Sequence, residues 1–318
     1  MTSSPTHVPV LLNEALGFLA VRPGGSYIDG TTGLGGHSDA IARAMHPGGR
    51  LLCIDQDSEA LEFARAELAA HGSAINFVHG NFRELAEIAR RHGFSSVDGI
   101  LLDLGVSSLQ FGSAARGFAF ALRGPLDMRM DQASGELTAG EIVNTWDETS
   151  LADLFYHYGE ERQSRRIAAS VVRARPLQTT WELAKAIEQA VGGARRPTQI
   201  HPATKVFLAL RIRVNRELDS VDAVLPQAHG LLGFGTDAGG SGRMVVISFH
   251  SLEDRIVKTY LRRESTNCIC PPELPVCRCG HVATLRLLAR RAVRPSPAEV
   301  AANPRARSAV LRAAERVA

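Results

Sequence analysis

Apolar residues fall along this chain in two alternating rhythms. Short apolar runs at 27–29, 51–55, 75–79 and 97–104, bounded by glycine or by polar residues, predict strands. Between them, apolar positions recur three and four apart. Ile41, Ala44 and Met45 predict one helical face, ended by Pro47-Gly48-Gly49. Leu61, Ala64 and Leu68 predict another, with Asp57 or Ser58 as its cap. Residues 8–21 predict a helix ahead of the first strand. Strands alternating with helices at this spacing predict a parallel sheet covered on both faces.

The next strand-like run, 244–249, comes about 140 residues after Leu104, where a doubly wound sheet needs only one helix. The excess predicts an inserted domain. Helical patterns at 150–158, 164–173 and 180–191, with little β signal, make it mostly helical. The expected division is 1–107 and 206–318 for the sheet domain and 108–205 for the insertion, with a long amphipathic helix over 205–225 returning to the sheet. After the fifth strand a helix starts at Ser251, with Asp254 three residues on and Leu252, Ile256, Tyr260 and Leu261 as its inner face. Runs at 283–293 and 308–317, around a Pro-marked helix near 298–302, add two strands expected to pair antiparallel. The sum is an α/β fold with a Rossmann-like seven-stranded sheet.

Composition changes this picture little. The chain has 318 residues, 45% apolar and 22% charged, as an ordinary globular protein does. No apolar run nears the ~20 residues that span a bilayer. The first ten residues lack a basic segment followed by an apolar one, so a cytoplasmic protein without membrane contact is expected. Charge is more informative. The net +3 combines −5 over 1–107, −1 over 108–254 and +9 over 255–318. That basic end is either a solvated tail or a surface facing phosphates.

The chemistry centres on the loop after the first strand, 29–37, with four glycines in seven positions and Asp29 leading in. A dinucleotide loop, G-x-G-x-x-G, fails because Ser38 stands at the third glycine position. The methyl-donor pattern D-x-G-x-G-x-G fits Asp29, Gly33 and Gly35, with Thr31 in place of the first glycine. S-adenosylmethionine carries no phosphate, so its site needs close backbone approach and strand-end acids. Asp55, 20 residues after Gly35, is placed for ribose hydroxyls. Phe82 is placed beside an adenine, or in the core, and Asp103 beside the sulfonium or a substrate amine. The segment from Asp103 to Val106 keeps only the first residue of the [DNS]-P-P-[FYW] motif of amino-group methyltransferases.

Six segments in order carry a specific resemblance: 30–37 (GTTGLGGH), 103–108 (DLGVSS), 124–130 (GPLDMRM), 201–205 (HPATK), 247–254 (ISFHSLED) and 303–308 (NPRARS). Together they resemble the bacterial small-subunit ribosomal RNA methyltransferase family RsmH, also called MraW, over nearly the whole chain. The resemblance implies a class I S-adenosylmethionine-dependent methyltransferase fold with an inserted recognition domain. It implies methylation of the N4 amine of a cytosine in 16S rRNA near the decoding centre. The small ribosomal subunit is then the partner, with no protein partner implied. It carries cofactor contacts to Gly35, Gly36, His37, Asp55, Phe82, Asp103 and Gln110. Asp103 is the expected acceptor for the amine proton, with His250 or Ser248 assisting. Two other readings stay open: a methyltransferase of a non-RNA substrate, and a non-catalytic module that binds the cofactor and RNA.

Several features have a plainer alternative. The segment 124–130 is a substrate lid or a joining loop. Arg162, Arg165, Arg166, Arg173 and Arg175, and Arg211, Arg213 and Arg216, face phosphates or water. Trp146 and Trp181 are core residues or base-stacking platforms, with the core the more common place for tryptophan. Cys268, Cys270, Cys277 and Cys279 form two C-x-C pairs, either plain thiols or a tetrahedral zinc knuckle that the activity does not require. No catalytic metal is expected.

Overall fold

The computed structural model describes residues 9–192, 201–235 and 240–318, apart from Pro272 and Pro275. The chain divides into two compact units, Met1–Gly105 with Leu218–Ala318, and Val106–Glu217.

In the first unit, α1 (Leu12–Leu19) precedes β1 (Ser26–Asp29), α2 (Gly36–Met45), β2 (Arg50–Asp55), α3 (Ser58–Glu67), β3 (Ile75–His79), α4 (Leu85–Arg91) and β4 (Gly99–Asp103). Residue 8 of the helix expected at 8–21 lies outside the described residues. The inserted unit holds α5 (Ser108–Gly112), α6 (Ala139–Thr145), α7 (Glu148–His157), α8 (Ser164–Arg173), α9 (Thr180–Val191) and α10 (Pro202–Asn215). The chain then continues through α11 (Glu217–Leu231), β5 (Arg243–Ser248), α12 (Ser251–Glu264), β6 (Leu285–Leu287), α13 (Pro297–Ala302) and β7 (Val310–Arg316). Among the described residues no helix is long and apolar enough to cross a membrane.

The sheet order is β3-β2-β1-β4-β5-β7-β6. The first five strands are parallel, and β7 runs antiparallel to both β5 and β6. Side chains alternate across it. Ile28, Leu52, Ile100, Leu102, Met244 and Val246 pack on one face with α4, α11 and α12. Tyr27, Leu51, Cys53, Leu101, Val245 and Ile247 pack on the other with α1, α2 and α3. Burial on both faces is why these strands read as continuous apolar runs.

Two expectations need correction. The single helix over 205–225 is two helices, broken at Arg216 in the left-handed region at φ 49°. Val206, Leu210 and Val214 of α10 belong to the core of the inserted unit, whereas Val221, Leu225 and Ala228 of α11 belong to the sheet. One straight helix does not serve two cores. The inner face of α12 is Glu253, Val257 and Leu261, with Leu252, Ile256 and Tyr260 only partly covered. Trp181 is 48% exposed, with Arg123 and Lys185 over its ring at 5.5 and 5.6 Å. Trp146 is half-buried against the inserted unit's core.

Within the inserted unit, 124–130 is stitched down. Thr180 Oγ1 accepts from Gly124 N–H, and Asn215 Oδ1 accepts from Met130 N–H. Leu126, Met128 and Met130 are buried, while Asp127 and Arg129 pair with each other between them. The segment lies inside the inserted unit, so it joins no two units, and it is held there by buried side chains and hydrogen bonds. Arg211 is committed to Glu217 in a two-pronged pair at 2.8 and 2.7 Å, and Arg175 caps the carbonyls of Val143 and Trp146. Arg162, Arg165, Arg166 and Arg173 are exposed.

Candidate active site at the strand ends

The carboxyl ends of β1, β2 and β4 lie side by side and each ends in an acid. Asp29 closes β1 with 1% of its surface exposed. Its Oδ2 accepts from Ser38 Oγ at 2.6 Å and its Oδ1 from Thr31 N–H at 3.1 Å. Ser38 Oγ in turn accepts from the Cys53 thiol at 3.3 Å. Asp29 is thus an internal brace for the glycine loop. Burial pushes its carboxyl up to about 6, against the pull of those donors.

Asp55, at the end of β2, accepts from Gly33 N–H at 2.7 Å and Asp57 N–H at 2.8 Å. Burial raises it to about 6 as well. Each carboxylate oxygen keeps a second lone pair, so the same group can still receive a pair of hydroxyls. The loop it pulls in needs glycine at two places, since Gly33 has φ 53° and Gly35, the residue before α2, has φ 88°. A side chain on Gly36 would strike Pro9 Cγ at 2.5 Å, so packing under the N-terminal segment also requires glycine there.

Thr31, which departs from the glycine pattern, has its own task. Its Oγ1 accepts from Asp103 N–H at 2.6 Å and ties the loop to the end of β4. His37, 6% exposed, donates from Nε2 to the Val10 carbonyl at 3.0 Å. That bond places the ring proton on Nε2 and turns Nδ1 toward Asp103 Oδ2, 3.6 Å away. Asp103 Oδ1 is buried with no hydrogen-bond partner among the described residues. Burial, then the charges of Asp29 and Glu253, raise this carboxyl well above the ordinary carboxylate range.

Phe82 follows β3 and is half-buried against the sheet face that holds Leu85 and Leu102. Beside it, Asn81 Nδ2 donates to Gln56 Oε1 at 2.7 Å and joins the tips of β2 and β3. Six of the seven expected cofactor residues therefore stand on the ends of β1 to β4. Gln110 lies in the inserted unit, 3% exposed, where it closes a capping box with Ser107 at the start of α5. His250 caps α12, which starts at Ser251 as expected, and its Nε2 lies 3.1 Å from Glu253 Oε1. Ser248 is buried at the end of β5.

Sequence reasoning missed the roles of Ser38 and Glu253. An acid nine residues before a serine in the first helical turn was the available signal for Ser38. Glu253 accepts from Phe249 N–H at 2.9 Å, which its place two residues past the helix start allows. A cavity of about 560 Å³ beside α12 is lined by Phe249, Asp254, Arg255, Lys258, Arg294 and Arg307 among others. Asp254 is already paired with Arg312 at 2.6 and 2.9 Å. Lys258, Arg294 and Arg307 have no acidic partner among the described residues.

The MraW methylase family matches residues 4–317. Ribosomal RNA small subunit methyltransferase H of Thermomicrobium roseum is 55% identical over 318 residues, covering 99% of this chain and 95% of that protein. The protein of the same name from Dehalococcoides mccartyi is 50% identical over 311 residues, covering 98% and 86%. That from Brevibacillus brevis is 46% identical over 319 residues, covering 99% of each. Seven strands in the order seen here, with the last inserted antiparallel, make a class I methyltransferase fold. From the strand ends to the last residues matched, the chain belongs to the MraW methylase family.

Proposed function

We propose that this protein uses S-adenosylmethionine to methylate the exocyclic N4 amine of a cytosine in 16S rRNA, near the decoding centre. The observation that carries the reading is Asp103 Oδ1, a buried acceptor at the end of β4 without a donor among the described residues. Buried polar atoms are nearly always hydrogen-bonded, so this oxygen has capacity for a donor from a ligand, a reactant or water.

The residues fit the cofactor's chemistry. Asp55 has acceptor capacity for a ribose diol, Phe82 offers an apolar face, and the loop from Gly33 to Gly36 admits close backbone approach. Nothing in this set requires an anion. S-adenosylmethionine supplies an electrophilic methyl group on a sulfonium. Gln110 is proposed as a further contact on the strength of the family resemblance.

The cytosine amine is a poor nucleophile because its lone pair is delocalised into the ring. Asp103 is proposed to accept an N4 hydrogen, which aligns the nitrogen and takes its proton as the new bond forms. Alignment of this kind contributes up to ~7–11 kcal/mol. A carboxyl with a raised pKa is the stronger base once ionised, and a cation beside it favours ionisation. His37 Nδ1, 3.6 Å from Asp103 Oδ2, faces the carboxyl proposed to hold that proton. The base must be unstacked, at a cost of a few kcal/mol unless it is single-stranded. The unpaired Lys258, Arg294 and Arg307 are proposed to hold flanking phosphates.

The test is transfer from methyl-labelled S-adenosylmethionine to small ribosomal subunits, followed by nucleoside mass spectrometry. The expected product is N4-methylcytidine. Label on another nucleoside or on protein overturns the substrate assignment. No transfer, with cofactor bound, supports the non-catalytic alternative.

A further inference from the structure

Residues 265–284 join α12 to β6 as a surface loop without a core. No described residue from 268 to 280 is buried, and Ile269, Leu274 and Val276 are 45%, 48% and 67% exposed. The base of the loop is tied. Thr284 N–H donates to the Glu264 carbonyl at 2.9 Å, Ala283 N–H to Asn267 Oδ1 at 3.0 Å, and His281 Nε2 to the Arg263 carbonyl at 3.0 Å. Beyond those bonds no described residue of 268–280 packs into a core, and such a segment needs a cross-link to keep one shape.

Four sulfurs converge there. The Sγ atoms of Cys268, Cys270, Cys277 and Cys279 all lie within 4.8 Å of one another. Cys277 and Cys279 are 3.5 Å apart, and Cys279 and Cys268 are 4.0 Å apart. A tetrahedron of thiolates about 2.3 Å from a zinc ion has edges of about 3.8 Å. The two C-x-C turns also support each other reciprocally. Ile269 N–H, in the middle of the first, points at Cys279 Sγ at 3.4 Å, and Arg278 N–H, in the middle of the second, points at Cys270 Sγ at 3.4 Å. N–H donors aimed at sulfur support metal-bound thiolates. With one residue between the cysteines instead of two, each turn takes its donor from the opposite turn, so the short spacing is no obstacle to a closed set.

Thiols hydrogen-bond weakly, so mutual S–H contacts do not account for four of them gathering in solvent. No two of these cysteines are joined by a disulfide. Soft sulfur donors in a closed tetrahedral set select zinc among the common structural ions. We propose that Cys268, Cys270, Cys277 and Cys279 bind one structural zinc ion that fixes the loop between α12 and β6. The proposal does not depend on the methyl-transfer reading.

The experiment is metal analysis of the full chain produced in zinc-replete medium, with Cys270→Ser, Cys279→Ser and Cys53→Ser variants. About one zinc per chain is expected for the unaltered protein and for Cys53→Ser, whose position is buried in β2, with loss in the other two. Cobalt(II) exchanged into the unaltered protein should give tetrahedral thiolate bands, which keeps the test independent of variant folding. Trypsin should cut after Arg278 only once a chelator has removed the ion. Unaltered protein without zinc and with four reactive thiols or two disulfides overturns the proposal. So does zinc content unmoved by Cys270→Ser and Cys279→Ser.

Discussion

Replacing Asp29 by asparagine should stabilise the cofactor-free protein, and only above the pH at which Asp29 ionises. The carboxyl is 1% exposed and raised from 3.8 to about 6, chiefly by burial. Between those values the native state holds a proton that the unfolded chain has lost. Stability therefore falls as pH rises from about 4 to about 6 and is level above it. At 1.36 kcal/mol per pH unit, this difference of about two units costs about 3 kcal/mol at neutral pH. Asparagine removes the charge but weakens the charge-assisted bonds from Ser38 and Thr31, a loss of about 1–2 kcal/mol. The net gain is about 1–2 kcal/mol at about pH 8, or roughly 2–8 °C in midpoint for a unit of this size, and close to zero at about pH 5. Thermal unfolding without cofactor at the two pH values reads it. A variant equally destabilised at both would refute the argument, because the ion would then be favoured by its partners more than it is penalised by burial.

Other perturbations probe neighbouring parts of the site. Gly35→Ala forces a side chain into φ 88° and to 3.1 Å from Leu68 Cδ1. It should strain the loop by about 1–2 kcal/mol and weaken S-adenosylmethionine binding about tenfold in calorimetry. Ser38→Ala leaves Asp29 Oδ2 without its donor and should lower stability by about 1–3 kcal/mol in denaturant titration, with Ser38→Gly giving no recovery. Lys258→Glu with Arg307→Glu should raise the KM for RNA at least tenfold while cofactor affinity stays constant. The salt dependence of RNA binding should become shallower by about 0.7 for each phosphate no longer held.

The parts of the fold legible in the sequence were those governed by one local rule. Parallel strands buried on both faces read as apolar runs, and α8 and α9 begin and end where their periodicity does. The break at Arg216 was not legible, because both halves are amphipathic and only the identity of the two cores separates them. The exposure of Trp181 was not legible for a related reason, since cations over an exposed ring leave no mark in spacing. In the site, acids at strand ends were legible from position. Their division of labour was not. Asp29 and Asp55 look alike in sequence, yet one braces Ser38 and the other gathers Gly33 while keeping acceptor capacity. Thr31 and Ser38 read as departures from glycine patterns, although their hydroxyls are what the structure uses.

Methyl transfer as proposed depends on Asp103 taking a hydrogen from the reacting amine. It is tested most directly by turnover of Asp103→Asn and Asp103→Ala at saturating S-adenosylmethionine, with cofactor affinity measured separately and rate followed against pH. In both, kcat should be lower by about 10²–10⁴. The wild-type rate should fall as pH drops through the raised Asp103 pKa, and that limb should be missing in the variants. Wild-type kcat in both variants, once cofactor is saturating, would contradict it.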